Sequence, residues 1–405
     1  MNDTDARLIF AARLIRLFAY GFLSVALFLY LSARGFSDAT IGLLLTLTLL
    51  GDAGISLWLT THADRFGRKR TLLVGAALMT FAGIVFALTD NFYVLMFAAI
   101  VGVISPSGGE IGPFLSVEQA ALSQLLPDTQ RTKIFAWYNL VGSFATAFGA
   151  LCGGGLAQFL LNSRFAALDA YRAVVISYGF FGILLAVLFF SLSPAVETAS
   201  VVRPSSSILG LHRSQRIVLQ LSALFALDAF AGGFIVQSIL AYWFNQKFGL
   251  DAGALGAMLF AANVLAGVSA LSAARLAQKF GLVNTMVFTH LPSNVLLMLV
   301  PLMPNVWLAV ALLLIRFSIS QMDVPTRQSY TMAVVAPDER SAASGITTIA
   351  RSIGAAFAPA LSGQLLAIPA LVSAPFFIAG GLKIVYDLVL FQQFRAHRPP
   401  EEIPN

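Results

Sequence analysis

The sequence predicts an all-α membrane protein that crosses the bilayer about twelve times. Three observations carry this. Mean hydropathy is +0.83. Only 11% of the 405 residues are charged while 58% are hydrophobic, 34 of them Phe, more apolar surface than a water-soluble chain could hide. Apolar runs of about 20 residues or more, the length that crosses about 30 Å of hydrocarbon, follow one another along the whole chain. The net charge of +6 does not point to nucleic acid, because the basic residues sit in short segments between apolar runs, where they orient a membrane protein. The single cysteine, Cys152, excludes a disulfide framework and a cysteine-based metal site. No removable signal peptide is expected: residues 1–7 are polar and the run that follows is long and carries Arg13 and Arg16.

Taken in order, the runs are 8–33, 39–62, 71–90, 92–117, 134–160 and 171–193, then 217–245, 252–275, 285–303, 306–332, 341–367 and 372–394. Breakers separate them, among them Gly35, Asp90-Asn91, Pro127-Asp128, Pro304-Asn305 and Pro337-Asp338. Between spans two and three lies the most charged stretch, Asp64-Arg65-Phe66-Gly67-Arg68-Lys69-Arg70, which reads as a short loop at a membrane face. Placing it on the cytoplasmic side puts Arg131, Lys133, Arg203, Arg213, Arg275, Lys279, Arg340, Arg395 and Arg398 there too and leaves only Arg34, Arg164, Arg172 and Lys247 opposite. Both termini are then cytoplasmic. The domain organisation expected is a six-helix bundle over 1–193, a polar linker over 194–216, a second six-helix bundle over 217–394 and a cytoplasmic tail over 395–405.

Two halves should resemble each other, and they do. A shift of 214 residues lays Phe66-Gly67 and Thr71 on Phe280-Gly281 and Thr285. A shift of 209 lays Gln119, Arg131 and Gly154 on Gln328, Arg340 and Gly363. The second copy reads Gln278-Lys279 where the first reads Asp64-Arg65, so the charged latch belongs to one half.

Twelve spans in two halves, a long central polar connection and Asp-Arg-x-Gly-Arg-Lys after span two resemble the major facilitator superfamily over essentially the whole chain. Residues 149–154, Gly-Ala-Leu-Cys-Gly-Gly, are similar to the Gly-Pro-x-x-Gly-Gly motif of its antiporter branches, contributed here by Gly149, Gly153 and Gly154, with Ala150 where the family has proline. Thr60 stands where a glycine usually precedes the first motif, and span four lacks the arginine of the antiporter branches. The resemblance implies alternating access, with Asp64, Arg65, Gly67, Arg68 and Lys69 as a gating turn and Asp64 meeting the N-terminal end of span eleven, where the helix dipole favours a carboxylate.

Ionisable residues inside the spans are the candidates for chemistry, since each is costly there. Counting about 1.5 Å per residue from the cytoplasmic ends puts Asp52 and Arg351 at one depth. The resemblance sets their helices side by side, so an interface ion pair is expected, either static or gating. Arg16 and Glu110 share another depth. With Asp228, Arg316 and Asp323 they fall on spans one, four, seven and ten, which line the central cavity in the family. Asp228, with no arginine close in sequence, is the candidate proton carrier; a neutral, hydrogen-bonded Asp is the alternative. Pro106-Ser107-Gly108-Gly109-Glu110-Ile111-Gly112-Pro113 breaks span four twice, either to expose backbone to a cavity or to allow close packing. Glu118 and Arg327 occupy one repeat position and are expected to close the cytoplasmic mouth, with an Asp323–Arg327 pair at i, i+4 competing. Arg131 and Arg340 are paired by the repeat in the same gating set. Lys383 and Asp387, also i, i+4, read as a structural pair, and His290 as a packing residue. The aromatics Phe18, Tyr20, Tyr138, Phe234 and Tyr242 could stack on a ligand or face lipid.

No Gly-x-x-x-x-Gly-Lys-Ser/Thr loop and no His-Glu-x-x-His pattern occurs, so neither nucleotide hydrolysis nor a zinc peptidase is expected. The function expected is secondary active transport of a small solute by alternating access: proton-coupled efflux, with proton-coupled uptake or uniport of a small organic anion or metabolite as the alternative, and a channel or receptor as the competing class. The expected partners are a small-molecule solute, protons and membrane lipids, with no enzyme activity, cofactor, metal or nucleic acid. The expected setting is a monomer in a bacterial inner membrane.

Overall fold

The computed structural model describes residues 3–125, 128–197, 211–336 and 339–395, with the side chains of residues 3, 64, 128–133, 136 and 341 outside that description. The described residues are helical and contain no strand. The helices divide into two compact units, Met1–Val202 with Val236–Asn263, and Arg203–Ile235 with Val264–Asn405. The segment 236–263, which the sequence reading assigns to the second bundle, packs with the first unit.

The first unit begins with α1 (Asp3–Ala33), α2 (Asp38–Phe66) and α3 (Arg68–Leu88). Span four is interrupted: α4 (Phe92–Val101) and α5 (Phe114–Leu125) flank a non-helical stretch. Then come α6 (Asp128–Asn162) and α7 (Ala167–Phe190) and, after residue 236, α9 (Gln237–Phe248) and the start of α10 (Ala252–Phe280). Within this unit α1 packs on α6, α7 and α9, α3 on α7, and α2 on α4. Glycine makes the α1–α6 contact possible: a Cβ added at Gly149 or Gly153 would lie 2.0 Å from the Phe18 carbonyl or 2.2 Å from the Phe22 carbonyl. The backbones meet directly, the form of packing that serves helices in lipid. A Cβ on Gly154 would lie 2.3 Å from the Ala252 carbonyl of α10. The span-five glycines are thus close-contact points.

The second unit contains α8 (Gln215–Gly233), the rest of α10, α11 (Leu282–Leu299), α12 (Val306–Ser320), α13 (Asp323–Val334), α14 (Arg340–Leu366) and α15 (Ala374–Phe394). Here α8 packs on α14 and α15, and α11 on α12, α13 and α15. Its apolar core joins Leu221, Phe225, Met286, Tyr330, Tyr386 and Phe394.

Among the described residues, ten stretches are long and apolar enough to cross a membrane, counting α8–α9 and α12–α13 each as one. The interrupted α4–α5 stretch and the 27-residue α14 bring the spans to the twelve expected. Large apolar side chains face outward, Trp307 at 81% exposure and Trp58 at 61%, as suits a lipid-covered surface. The chain is an integral multi-pass membrane protein.

Asp64 to Arg70 is not a loop. Helix α2 continues to Phe66, one residue of left-handed backbone follows (Gly67, φ 102°), and α3 begins at Arg68. The repeat reproduces it atom for atom. The Gly67 amide donates to the Ala63 carbonyl at 2.9 Å and the Gly281 amide (φ 85°) to the Ala277 carbonyl at 2.8 Å. The hydroxyls of Thr71 and Thr285 donate to the two glycine carbonyls at 2.9 and 2.8 Å. Only glycine takes this backbone without strain, which is why Phe-Gly recurs at the 214-residue offset.

Candidate functional site: a buried charge network in each unit

In the first unit, α1 places Arg13 and Arg16 one turn apart, toward α5, α6 and the non-helical part of span four. Arg16, with no exposed surface, donates through Nη2 to Glu118 Oε2 at 2.9 Å and through Nη1 to Oε1, a two-pronged pair. Its Nη2 also lies 3.3 Å from Glu110. Arg16 thus reaches Glu110, read at the same depth, as well as Glu118, which takes both prongs of its fork. Glu110 is held chiefly by Arg13, which also donates to the Tyr138 carbonyl at 2.6 Å and lies 3.9 Å from the Tyr138 ring centroid. A Cβ on Gly142 would stand 2.8 Å from Arg13 Nε, so that glycine makes room for the guanidinium. The Tyr138 hydroxyl donates to Glu118. Two arginines and two glutamates balance.

Beside this network the interrupted stretch of span four keeps its backbone hydrogen bonds by borrowing side chains, as irregular backbone at membrane depth must. The Gly112 amide (φ 80°) donates to Asp52 Oδ1 at 2.6 Å. The Tyr178 hydroxyl donates to the Val103 carbonyl at 2.7 Å and the Tyr20 hydroxyl to that of Ile111 at 3.2 Å. Thr146 donates to the Gly108 carbonyl at 3.3 Å and the Ser238 amide of α9 to that of Pro106 at 3.1 Å. Asp52 accepts from the Gly112 amide and from the Ser56 hydroxyl at 3.0 Å. A backbone amide can be offered only where the helix is broken, and depth counting has no term for that.

At the end of this unit, Arg68 donates through Nη1 to Gln124 at 2.9 Å, and Lys69 to the Leu192 carbonyl at 2.7 Å. The carboxylate of Glu197 accepts from the amides of Arg68 at 2.7 Å and Lys69 at 3.2 Å and so caps α3. Arg65 is exposed. The Asp64 side chain, on which the latch was placed, lies outside the described residues, as do the Arg131 side chain, linker residues 198–210 and tail residues 396–405.

The second unit centres on Asp228, 4% exposed in α8. Its Oδ2 accepts from Arg327 Nη1 at 3.2 Å and Arg351 Nη1 at 3.1 Å. Its Oδ1 accepts from Lys383, with His290 Nε2 3.9 Å away. The expectation of a proton carrier rested on Asp228 having no cation nearby; cations from three other helices converge on it, though none is near in sequence. Arg327 also pairs with Asp323 at 2.9 Å, the i, i+4 contact foreseen as competing with a Glu118 gate. Lys383 serves Asp228 rather than Asp387. Asp387 instead meets His290 Nδ1 at 2.8 Å and accepts from Asn294 at 2.9 Å. His290 is therefore part of the network, not a packing residue. Arg340 donates to the Met332 carbonyl at 2.9 Å.

At the N-terminal end of α8, Glu339 accepts from the amides of Arg213 at 2.7 Å and Ser214 at 2.9 Å and from that of His212. Burial alone would raise this carboxyl; the Ser214 hydroxyl and the three amides outweigh it and bring it down to about 2. No cluster of His, Cys, Asp and Glu among the described residues has metal-site geometry.

Sequence reasoning missed Arg13, Glu197, His290 with Asp387, and the Tyr138 hydroxyl. Arg13 carried a signal, an intramembrane arginine three residues, close to one helical turn, before Arg16. Glu197 carried one too, as a lone acid after Pro194 in a basic segment. The aromatics resolve in part: the Tyr20, Tyr138 and Tyr242 hydroxyls serve Ile111, Glu118 and Asp38.

The sequence profile described as Major Facilitator Superfamily matches residues 9–359 and 221–404. A membrane protein of Saccharomyces cerevisiae, itself uncharacterised, is 30% identical over 96% of this chain and 94% of its own length. Multidrug resistance protein 2 of Bacillus subtilis is 24% identical over 80% of this chain and 78% of its own. Among solved structures, a D-xylose-proton symporter superposes with a TM-score of 0.71 at 16% identity, covering 96% of this chain and 97% of that one.

Proposed function

The chain belongs to the major facilitator superfamily, a family of membrane transporters, and from that premise we propose that it is a secondary active transporter. It moves a small solute by alternating access between two six-helix bundles and couples that movement to protons. The observation that carries the reading is the pair of buried charge networks, one inside each unit, in helices that cross the membrane; such groups are retained where solute and ion bind and change partners. The multidrug resistance relative favours export.

The coupling site in this reading is His290 with Asp387. Imidazole is the side chain that ordinarily changes charge near physiological pH. The pair is buried, with Asn294 on the same helix, Lys383 and Tyr386 on α15, and Asp228 of α8 facing it. Protonation of His290 adds a cation beside Asp228 and weakens the hold of Lys383, Arg327 and Arg351, freeing α14 and α15 to shift against α8. The turn at residues 64–70 is the gate on the cytoplasmic side, where both termini also lie.

Flux in proteoliposomes with and without a pH gradient, after a solute screen on purified protein, tests this. H290Q is expected to keep solute counterflow and lose stimulation by the gradient. Wild-type flux indifferent to the gradient would sink the coupling, and the absence of saturable flux for every solute that binds would sink the transport reading.

A further inference from the structure

Among the described residues, one buried charged side chain within the spans of the second unit stands outside the network. Arg316, one turn before the end of α12, is 93% buried, at 7% relative exposure. Its guanidinium has no hydrogen bond or ion pair among the described residues; its Nε is buried without an acceptor, and its one contact of note is the ring of the neighbouring Phe317, centroid 4.9 Å away. One turn further on, Ser320 is 3% exposed and its hydroxyl is also buried without a partner. Residues four apart lie on one face of a helix. Helix α12 ends there, at the break before Asp323.

The carboxylates of this interior are committed elsewhere. Asp323 pairs with Arg327 at 2.9 Å, Asp228 takes Arg327, Arg351 and Lys383, and Asp387 takes His290 and Asn294. With His290 neutral, three carboxylates face four cations, and Arg316, which feels Asp228 and Asp323 only at longer range, is the one of the four with no ion-pair contact among the described residues. A buried guanidinium without a hydrogen-bond partner is among the costliest groups a protein can keep, and inside a membrane span such a group marks a place where a solute or ion binds.

Resting on the transport reading, we infer that Arg316 and Ser320 form the anion subsite of the solute site, and that the solute carries a carboxylate. The planar fork of the guanidinium matches two carboxylate oxygens, and the serine hydroxyl supplies a further donor. Arg16 cannot fill this role, because Glu118 already occupies its fork.

The test reads binding and stability on the purified full-length protein, separately from flux, so that either reading can fail alone. Thermal unfolding is followed in acetate and benzoate, each against its neutral counterpart, acetamide and benzamide, for wild type, R316Q, R316K and S320A. In the absence of additive, R316Q is expected to melt no lower than wild type and up to about 4 °C higher, because it removes an unpaired buried charge. The carboxylates are expected to raise the wild-type midpoint above their amides, an effect lost in R316Q and reduced in R316K and S320A. A fall in the midpoint of R316Q without additive would mean that Arg316 has a structural partner, and equal responses of wild type and R316Q to the carboxylates would remove the subsite; either overturns the inference. Should R316Q fail to fold, that outcome counts as the structural one, and an undiminished carboxylate response in S320A would equally count against the subsite.

Discussion

Replacing Asp228 by Asn keeps the size of the side chain and removes the charge on which the second unit converges. The loss is not three ion pairs. Arg327 retains Asp323 at 2.9 Å, and Arg351, 33% exposed, is not sealed in with the missing charge. Lys383 is left stranded, 9% exposed and with its carboxylate gone. Breaking a buried pair by removing one partner costs about 3–5 kcal/mol, and one stranded ammonium places D228N in that range rather than at its multiple. At about 2–4 °C per kcal/mol for a folding unit of this size, the midpoint should fall by on the order of 10 °C. Fluorescence-detected unfolding in detergent measures it, with the D228N/K383M double variant as the second arm. Removing the stranded ammonium should return about half of the loss, since the remaining site is then apolar or paired. A D228N midpoint within about 2 °C of wild type, or a double variant no more stable than D228N, would refute the hub.

Glu339 gives a prediction about pH. Its carboxyl is held at about 2 against an ordinary 4.5, a depressed value, so its contribution is complete above pH 4.5 and is lost as pH falls toward 2. The stability difference between wild type and E339Q should be constant from pH 8 to about 5 and shrink below that; a difference that grows on acidification would show the sign to be wrong. Gly153 is the packing test: its Cβ would press on the Phe22 carbonyl, so G153V should abolish or severely weaken α1–α6 packing, by more than about 3 kcal/mol, read as loss of monodisperse protein on size exclusion. Normal behaviour of G153V would mean the two backbones do not approach as closely as described.

The fold was legible because the bilayer writes it in run length: hydropathy alone yields the spans, and the Phe-Gly repeat at a 214-residue offset yields the pair of matching turns. The charged residues were legible as a set. Arg16, Glu110, Glu118, Asp228, Asp323 and Arg327 are all members of the networks found. The pairings were not. Depth along a span is a single coordinate, whereas a partner is fixed by rotation about the helix axis and by which helix stands opposite. Thus depth gave no sight of the Gly112 amide as a partner of Asp52, since that amide is free to donate only because span four unwinds. Asp228 was read as isolated because Lys383, Arg327 and Arg351 approach it from 99 to 155 residues away. His290 looked inert for the same reason.

The interrupted stretch between α4 and α5 has one more consequence. Its backbone is held by Tyr20 of α1, Asp52 of α2, Thr146 of α6, Tyr178 of α7 and Ser238 of α9. Twelve residues thus sense five helices at once. In hydrogen–deuterium exchange they should behave as one cooperative block, protected or released together, and a substitution in any of the five anchors should unlock amides far from itself. Loss of regular helix here produces a keystone, stiffer than the coil its sequence suggests, through which a displacement of one helix in the first unit reaches the other four.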